Sequence, residues 1–306
     1  ELRRGPARRG LARVKRGHLP AFRVVPDDEP LDDWLQVPAS RFRDQLAFFT
    51  RRFTPVCVET FFTTPRKAWQ KPRLLVTFDD GYANNLTVAA PILQEYRVPA
   101  LFFLATGYLE TPWFWWDRLQ ASLATVGQKP SPALIAEIKA LAPPDVEAKV
   151  TAILRDRGAN PFPPPTPALR PLTWREAQQL ASLPGFAIGN HGHCHEIFAH
   201  LDDTALTHTL TLSQRLLTER LGVQPTWIAP PNGDWRRDQI DRFAQLGFQA
   251  IVTTQPGWVT RRQRASSPVP RVFPRIGIGA TDRPLDLAKR LLKTRLRQVV
   301  PTGEGK

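Results

Sequence analysis

The sequence predicts an α/β fold built on a parallel sheet, and three consecutive stretches carry this prediction. Residues 74–77 are apolar or β-branched without alternation, which is typical of a strand buried on both faces. A helical pattern follows over about residues 83–96, and residues 100–105 form a second continuous apolar run. A strand, a helix and a strand at this spacing form a βαβ unit with parallel strands and a right-handed crossover.

Length and composition fit one domain of this class. The chain has 306 residues, of which 42% are apolar, and this suffices for a sizeable core. No apolar run reaches the roughly 18 residues that a membrane-spanning helix needs. No signal-peptide pattern is present, and because the sequence has no Met, residue 1 is not expected to be a natural start. Cys57 and Cys194 form no disulfide framework, so a bacterial cytoplasm and a cell envelope or periplasm both stay open.

The net charge of +14 is concentrated at the two ends of the chain. Residues 1–20 are predicted to be a basic disordered tail, and residues 281–306 a basic helix with a tail. A basic balance also suits an anionic polymer, a membrane surface or nucleic acid. No recognisable nucleic-acid motif supports specific nucleic-acid binding. A tail and a solvated helical face are therefore favoured.

The N-terminal elements are shorter and less regular than the central ones. A first strand is expected over residues 21–25 and a short strand over residues 55–58. Between them, Ser40 is predicted to cap a helix that carries Phe42, Leu46 and Phe49 on one face. The alternation of strands and helices is interrupted at about residues 107–171, which are predicted to form a helical insertion closed by a proline-rich connector over residues 161–171.

Beyond the insertion the alternation resumes. Thr173 and Glu176 have the spacing of a capping box, and a long helix is expected to begin at Asp202 and end at Gly222. The remaining strands are expected over residues 186–189, 227–229, 249–253 and 272–278. Two further helices are expected over residues 237–246 and 284–299.

Ionisable residues follow two of the predicted strands directly. Asp79 and Asp80 are adjacent carboxylates at a buried strand end, which is tolerated only if a cation or a shared proton relieves the repulsion. His191, His193 and His195 alternate after the strand over residues 186–189. Carboxylates and imidazoles at the C-terminal ends of parallel strands are typical of a site for a first-row metal ion.

These two stretches resemble the polysaccharide deacetylase family, also called the NodB homology domain or carbohydrate esterase family 4. Residues 77–81 read T-F-D-D-G, and His191 with His195 match the ends of the H-[S/T]-x-[S/T]-H motif. The resemblance extends over about residues 42–279 and implies a distorted (β/α)7 barrel. It implies a divalent metal, with Zn²⁺ expected, bound by Asp80, His191 and His195. It also implies that Asp79 is the general base, and the backbone N–H of Tyr82 is expected at the oxyanion.

The sequence departs from the family pattern at several points. Gly192 and Cys194 replace small hydroxyl residues, and Cys194 could instead be a soft metal ligand. His193 is expected to be a bystander. Ala229 replaces the arginine that often orients the catalytic base. The expected Tyr-His pair of the first strand is absent, and so is the histidine that usually acts as general acid on the last strand.

The resemblance implies a metal-dependent hydrolase that removes N-acetyl groups from amino sugars of an exopolysaccharide or cell-wall glycan. A catalytically impaired, carbohydrate-binding relative is the alternative, and an anionic-polymer or nucleic-acid binder is a third. The aromatic cluster over residues 113–116 could present rings to a sugar, although such clusters more often belong to the core. The sequence leaves the oligomeric state open.

Overall fold

The structure is a computed structural model that describes residues 23–29, 36–63, 70–167, 169–259 and 269–299. The predicted N-terminal tail, and residues 21 and 22 of the predicted first strand, lie outside this part. Within it the strands are β1 Arg23–Val25, β2 Gln36–Pro38, β3 Thr54–Pro55, β4 Arg73–Leu74, β5 Val76–Phe78, β6 Ala100–Leu104, β7 Phe186–Asn190, β8 Trp227–Ile228, β9 Ala250–Pro256 and β10 Arg271–Arg275.

The α-helices of the described part alternate with these strands. They are α1 Ala39–Arg52, α2 Val58–Thr63, α3 Ala90–Glu95, α4 Trp115–Thr125, α5 Pro132–Lys139, α6 Pro143–Asp156, α7 Trp174–Ser182, α8 Asp203–Leu221, α9 Ile240–Gln245 and α10 Pro284–Val299. A π-helical turn, Asn85–Ala89, leads directly into α3, and together they form the helix predicted over about residues 83–96.

A six-stranded parallel sheet is the centre of the molecule, in the order β10-β9-β8-β7-β6-β5. It curls into a half-barrel, so the predicted α/β class and the barrel type implied by the resemblance are confirmed. Two short parallel pairs, β1 with β2 and β3 with β4, accompany it. Because only Leu75 separates β4 from β5, the β3–β4 pair continues directly into the edge of the sheet.

Strand β6 shows why the apolar runs do not alternate with polar residues. All five of its residues are buried. Ala100, Phe102 and Leu104 pack in the core under the flanking helices. Leu101 and Phe103 point to the opposite face and pack against residues of β8, β9 and β10. A strand with a core on each face needs apolar residues at every position.

Near the N-terminus, one local prediction was wrong and another gave a strand the wrong end. Ser40 does not cap α1, which begins at Ala39 after Pro38. Instead, the Ser40 backbone N–H and hydroxyl both donate to one carboxylate oxygen of Asp27, at 2.8 and 2.7 Å, so a partner from another segment occupies this serine. The strand predicted over residues 55–58 ends at Pro55, because helix α2 already begins at Val58.

The insertion forms a second small core beside the sheet. Helices α4, α5 and α6 pack through buried residues that include Leu119, Ile138 and Val150. The proline-rich connector then returns to the main domain, where Pro171 forms an isolated antiparallel bridge with Tyr82. Trp115 is buried, as are its neighbours at 113 and 114, so most of the aromatic cluster is core.

The C-terminal helix α10 packs against α1, with Leu287 buried beside Phe48 and Phe49. Among the described residues, no helix combines the length and the apolar character needed to cross a membrane. The domain limits expected at residues 20 and 281 remain predictions.

Candidate metal centre

The turn after β5 separates the two adjacent carboxylates. Asp80 and Gly81 both have left-handed backbone conformations, with φ of 70° and 96°. Such a conformation is costly for a residue other than glycine and is typical of functional turns. The turn is fixed by the Gly81 N–H, which donates to the Asp79 carbonyl at 2.9 Å, and by the Ala105 N–H, which donates to the Asp80 carbonyl at 3.1 Å. The Asp79 and Asp80 side chains consequently have different partners.

Asp80, His191 and His195 lie together, with one possible ligand atom from each within 4.8 Å of the others. The Nε2 atoms of His191 and His195 are 3.2 and 3.3 Å from Asp80 Oδ1. The three side chains are buried, with 2 to 9% of each exposed. Strand β5 supplies the aspartate and β7 the histidines, as expected for strand ends on one edge of a parallel sheet.

The orientation of His191 is fixed by the main chain directly after β8. Its Nδ1–H donates to the Ala229 carbonyl oxygen at 2.6 Å, which directs Nε2 toward Asp80. The histidine loop is held by Asn190, whose side-chain oxygen accepts from the Gly192 N–H at 2.7 Å. Asn190 is in turn bound to Ser213 of α8 at 2.6 Å.

Burial and the local charges shift the pKa values of all three residues. Burial acts to raise the pKa of Asp80, but hydrogen bonds from the two imidazoles outweigh it and hold this pKa well below its usual range. Burial acts to lower the pKa of His191, but the Asp80 hydrogen bond and the charges of Asp79 and Asp80 raise it. For His195, burial lowers the pKa and outweighs the opposing effect of Asp80. The charges of His191 and Lys139 lower this pKa further.

This donor set fits a hydrolytic divalent ion. One carboxylate and two imidazoles are the three protein ligands of many such sites, which leave a further position for water or substrate. The backbone carbonyl on His191 Nδ1 is the kind of support that metal-bound imidazoles usually have. A preference for Zn²⁺ over other divalent ions remains a prediction.

The partner of Asp79 is Arg275, which the sequence prediction missed. Two guanidinium nitrogens of Arg275 each donate to one oxygen of Asp79 at 2.7 Å. The same guanidinium donates to the Thr253 carbonyl at 3.2 Å and to the Thr77 hydroxyl at 3.3 Å. The family pattern often has such an arginine at the position of Ala229, directly after β8, whereas the arginine bound to Asp79 in this chain lies on β10. The sequence signal for this residue was an arginine within the last predicted strand, residues 272–278, where the resemblance implies a histidine.

Tyr82 belongs to a buried polar network between the barrel and the insertion. Its hydroxyl donates to Asp117 at 2.6 Å and accepts from the Trp116 indole N–H at 2.8 Å. Asp117 also pairs with Arg23 of β1 at 2.7 Å. Burial raises the pKa of Tyr82 well above its ordinary value. The Tyr82 side chain is thus structural, and only its backbone N–H remains for the predicted oxyanion contact.

Trp116 is the one member of the aromatic cluster at 113–116 that is half-buried rather than buried. Its ring centroid lies 4.7 Å from that of His195. The insertion therefore covers one side of the candidate metal centre with an aromatic ring. A sugar contact for this ring remains a prediction.

His193 and Cys194 lie between His191 and His195 in the sequence but outside the cluster that could hold a metal. The Nδ1 atom of His193 is 2.9 Å from the Thr106 hydroxyl, and burial lowers its pKa. Burial, with a smaller effect of the Glu196 charge, raises the pKa of the Cys194 thiol to about 12. Cys194 contributes no atom to the cluster of Asp80, His191 and His195, which argues against the soft-ligand alternative.

The loop after β8 approaches the site from another side. It contains Asn232, whose left-handed φ of 56° is followed by a φ of 77° at Gly233. A Cβ atom at Gly233 would lie 2.0 Å from the Thr254 hydroxyl, so only glycine fits there. The Asn232 side-chain oxygen accepts from Lys139 Nζ at 3.2 Å. This contact joins the end of α5 to the loop.

Comparison with known proteins gives a family match and a fold match. The family model described as polysaccharide deacetylase matches residues 66–251, more than half of the chain. The uncharacterized protein YlxY of Bacillus subtilis (strain 168) is 26% identical over 121 residues, which cover 39% of this chain. The chain covers only 38% of that curated relative's length.

Solved structures of deacetylases share the fold over most of this chain, and two of them serve as examples. The Streptococcus pyogenes deacetylase PplD in complex with acetate has 18% identity and a TM-score of 0.58, covering 89% of this chain and 97% of that one. A de-N-acetylase from Aggregatibacter actinomycetemcomitans has 15% identity and a TM-score of 0.60, covering 90% and 98%. At these identities the likeness shows the fold alone. Because the family match itself covers more than half of the sequence, the chain belongs to the polysaccharide deacetylase family.

Proposed function

We propose that the protein is a metal-dependent hydrolase that removes N-acetyl groups from amino sugars of a polysaccharide, either an exopolysaccharide or a cell-wall glycan. The observation that supports this best is that the two adjacent carboxylates have different partners. Asp80 faces two imidazoles, whereas Asp79 is bound by Arg275. Metal-dependent amide hydrolysis uses both a metal ligand set and a separate base, and this arrangement offers both.

Asp80, His191 and His195 would hold the ion, which when bound supplies a Lewis acid that polarises the substrate carbonyl and activates water. Asp79 would accept a proton from the attacking water. Arg275 uses one lone pair of each Asp79 oxygen, so the carboxylate is fixed in orientation but keeps further acceptor capacity. The backbone N–H of Tyr82, which directly follows the Asp-Asp-Gly turn, would donate to the oxyanion.

A carbohydrate-binding protein without turnover is the second candidate. The observation that favours it is the absence of a histidine on β10, where the resemblance implies the general acid. Such a protein would keep the ligand set and the fold but would release no product.

Acetate release distinguishes the two candidates. The purified protein, loaded with one divalent ion, is incubated with N-acetylglucosamine oligomers of different linkage and with cell-wall glycan, and free acetate is measured. Release that stops on chelation and in the Asp79→Asn protein supports the hydrolase. Binding of these glycans without any acetate release would support the second candidate.

A further inference from the structure

Cleavage of an amide requires a proton on the departing nitrogen, because an amide anion is a very poor leaving group. A positioned general acid contributes on the order of 10²–10⁴-fold to such a step. Strand β10 carries no histidine, and its Arg275 is engaged with Asp79. The proposed reaction therefore lacks an assigned proton donor.

Two nearby groups have other partners or roles. His193 is directed to Thr106, and its ionisable neighbours, Glu196 and His208, lie on the α8 side of the loop. Asp79 is already the proposed base, so one carboxylate held by Arg275 would have to accept a proton and then donate it.

Lys139 reaches the site from the insertion. It is the last residue of α5, and it is half-buried, whereas the preceding residue, Ile138, is fully buried in the insertion core and anchors the helix end. Its Nζ donates to the Asn232 side-chain oxygen at 3.2 Å, which leaves two ammonium protons for other acceptors. Asn232 belongs to the loop after β8, on the edge of the sheet where the ligand cluster lies.

The charges that face Lys139 come from several elements. Asp80 follows β5, Asp234 follows β8, and His195 follows β7, and each interacts electrostatically with the ammonium. On its own helix, Glu137 is engaged with Lys149 of α6 at 2.7 Å. Burial lowers the pKa of Lys139 below its ordinary value, although Asp80 and Asp234 oppose the shift. A lysine with a lowered pKa is a better proton donor near neutral pH than an exposed one.

We propose, on the basis of the deacetylase function proposed above, that Lys139 is the general acid that protonates the departing amine. Water forms the new C–O bond and loses one proton to Asp79. The C–N bond then breaks, its electron pair stays on nitrogen, and the nitrogen takes a proton from Lys139 Nζ. The products are acetic acid, which ionises to acetate, and the free amino sugar. Asp79 then loses its proton to solvent and Lys139 regains one.

The test compares two leaving groups in the full-length, metal-loaded protein. The first substrate is an N-acetylglucosamine oligomer, whose amine leaves only with a proton. The second is 4-nitrophenyl acetate, whose phenolate leaves without a proton. The ester hydrolysis that remains in Asp79→Asn is subtracted as background, so that only hydrolysis at this site is compared. Lys139→Met should lower kcat for the amide by roughly 10²–10⁴-fold and leave ester hydrolysis at the wild-type level.

Two more variants separate proton donation from charge and packing. Lys139→Arg keeps a positive charge but holds its proton too tightly to donate it, so amide cleavage should stay low. In Lys139→Ala, added alkylamines should restore amide cleavage, to an extent that depends on the pKa of the amine. Lys129→Met, at an exposed lysine of the same insertion, is the matched control and should behave as wild type.

Three results would overturn the assignment while leaving the deacetylase function intact. They are wild-type amide cleavage by Lys139→Met, full activity of Lys139→Arg, and equal losses of amide and ester hydrolysis at unchanged metal content. Failure of the wild-type protein to release acetate from any N-acetylated glycan would instead contradict the proposed function, and the role of Lys139 with it.

Discussion

Arg275 fixes the orientation of the Asp79 carboxylate. A bidentate guanidinium sets the plane of a carboxylate as well as its position, whereas a lysine ammonium acts as a point charge. The catalytic role proposed for Asp79 therefore depends on the shape of its partner and not only on the charge.

We expect Arg275→Lys to lower kcat for deacetylation by roughly 10²-fold, because a small misplacement of a reacting group has effects of that size. Metal content should be unchanged, since Arg275 does not contact the ligand cluster. Steady-state kinetics and elemental analysis check both expectations. Arg271→Lys, at the start of the same strand, is the control, and wild-type kcat in Arg275→Lys would contradict the role given to the guanidinium.

The two carboxylates of the turn should respond differently to substitution. Asp79→Asn should retain the metal and lose most activity, because an amide cannot accept the proton. His191→Ala should lose metal, because it removes one of three ligands. Elemental analysis of both purified proteins, alongside acetate release, separates the two effects. Full metal occupancy in His191→Ala would show that the ion is bound elsewhere.

The sequence allowed part of this site to be predicted. Asp80 and the two histidines follow parallel strands directly, and the C-terminal ends of such strands share one edge of the sheet. Arg275 and Lys139 were not predictable in the same way. One lies within the last strand and the other at the end of an insertion helix, and only the tertiary structure brings them to that edge.

At the scale of single elements, local sequence signals succeeded where no distant group competed with them. The capping box of α7 is confirmed, with Thr173 accepting from the Glu176 N–H and Glu176 accepting from the Thr173 N–H. Asp202 caps α8, and Gly222 ends it in a left-handed conformation. Ser40 has an equally good capping side chain, but Asp27 binds it, and no local pattern contains that information.

The capping box leads to a stability prediction. Thr173→Ala should lower the free energy of unfolding by about 1 kcal/mol, the usual cost of losing an N-cap. Urea denaturation monitored by far-UV circular dichroism measures it. Thr125→Ala, at the end of α4, removes a hydroxyl that bonds only within its own helix and is the control. Equal midpoints for Thr173→Ala and wild type would contradict the contribution of the cap.

Glu176 also predicts a pH dependence of stability. The hydrogen bond from Arg170, supported by those from Thr173, lowers the pKa of Glu176 to about 2. A carboxyl with a lowered pKa in the folded state stabilises the protein above its ordinary pKa of about 4.5. This contribution is lost as the pH falls through about 2.

Glu176→Gln should therefore destabilise the protein at neutral pH and weaken the loss of stability between about pH 4.5 and pH 2. Thermal melts across this range compare the variant with the wild type. If the melting temperatures of the two proteins changed in parallel with pH, the Arg170 pairing would not stabilise the folded state.

At the scale of the whole molecule, the buried network of Arg23, Asp117, Tyr82 and Trp116 joins three parts of the chain. It connects the first strand, the Asp-Asp-Gly turn and the insertion, and Trp116 contacts His195. The sequence predicted the insertion and the aromatic cluster but not their polar connection to the barrel. Residues 94 positions apart form the Arg23–Asp117 pair, and no local pattern specifies such a contact.

Tyr82→Phe should lower the free energy of unfolding by about 1–3 kcal/mol, because the Trp116 indole and the Asp117 carboxylate both lose a buried partner. Metal affinity, measured by titration calorimetry, should also fall, because Trp116 would no longer be fixed beside His195. Tyr96→Phe, outside the network, is the control. Unchanged stability and metal affinity in Tyr82→Phe would contradict a structural role for the network.

The Asp79–Arg275 contact has a consequence for the way the protein is made. Strands β5 and β10 are the two edges of the six-stranded sheet, and this ion pair joins residues 196 positions apart across the open side of the half-barrel. Asp80 and both histidines leave the ribosome well before Arg275 does. A nascent chain can thus assemble its candidate metal ligands early, whereas Asp79, the proposed base, acquires its fixed orientation only when the last strand docks. Under the proposed function, catalytic competence is then a late event of synthesis, reached only by chains whose sheet is complete.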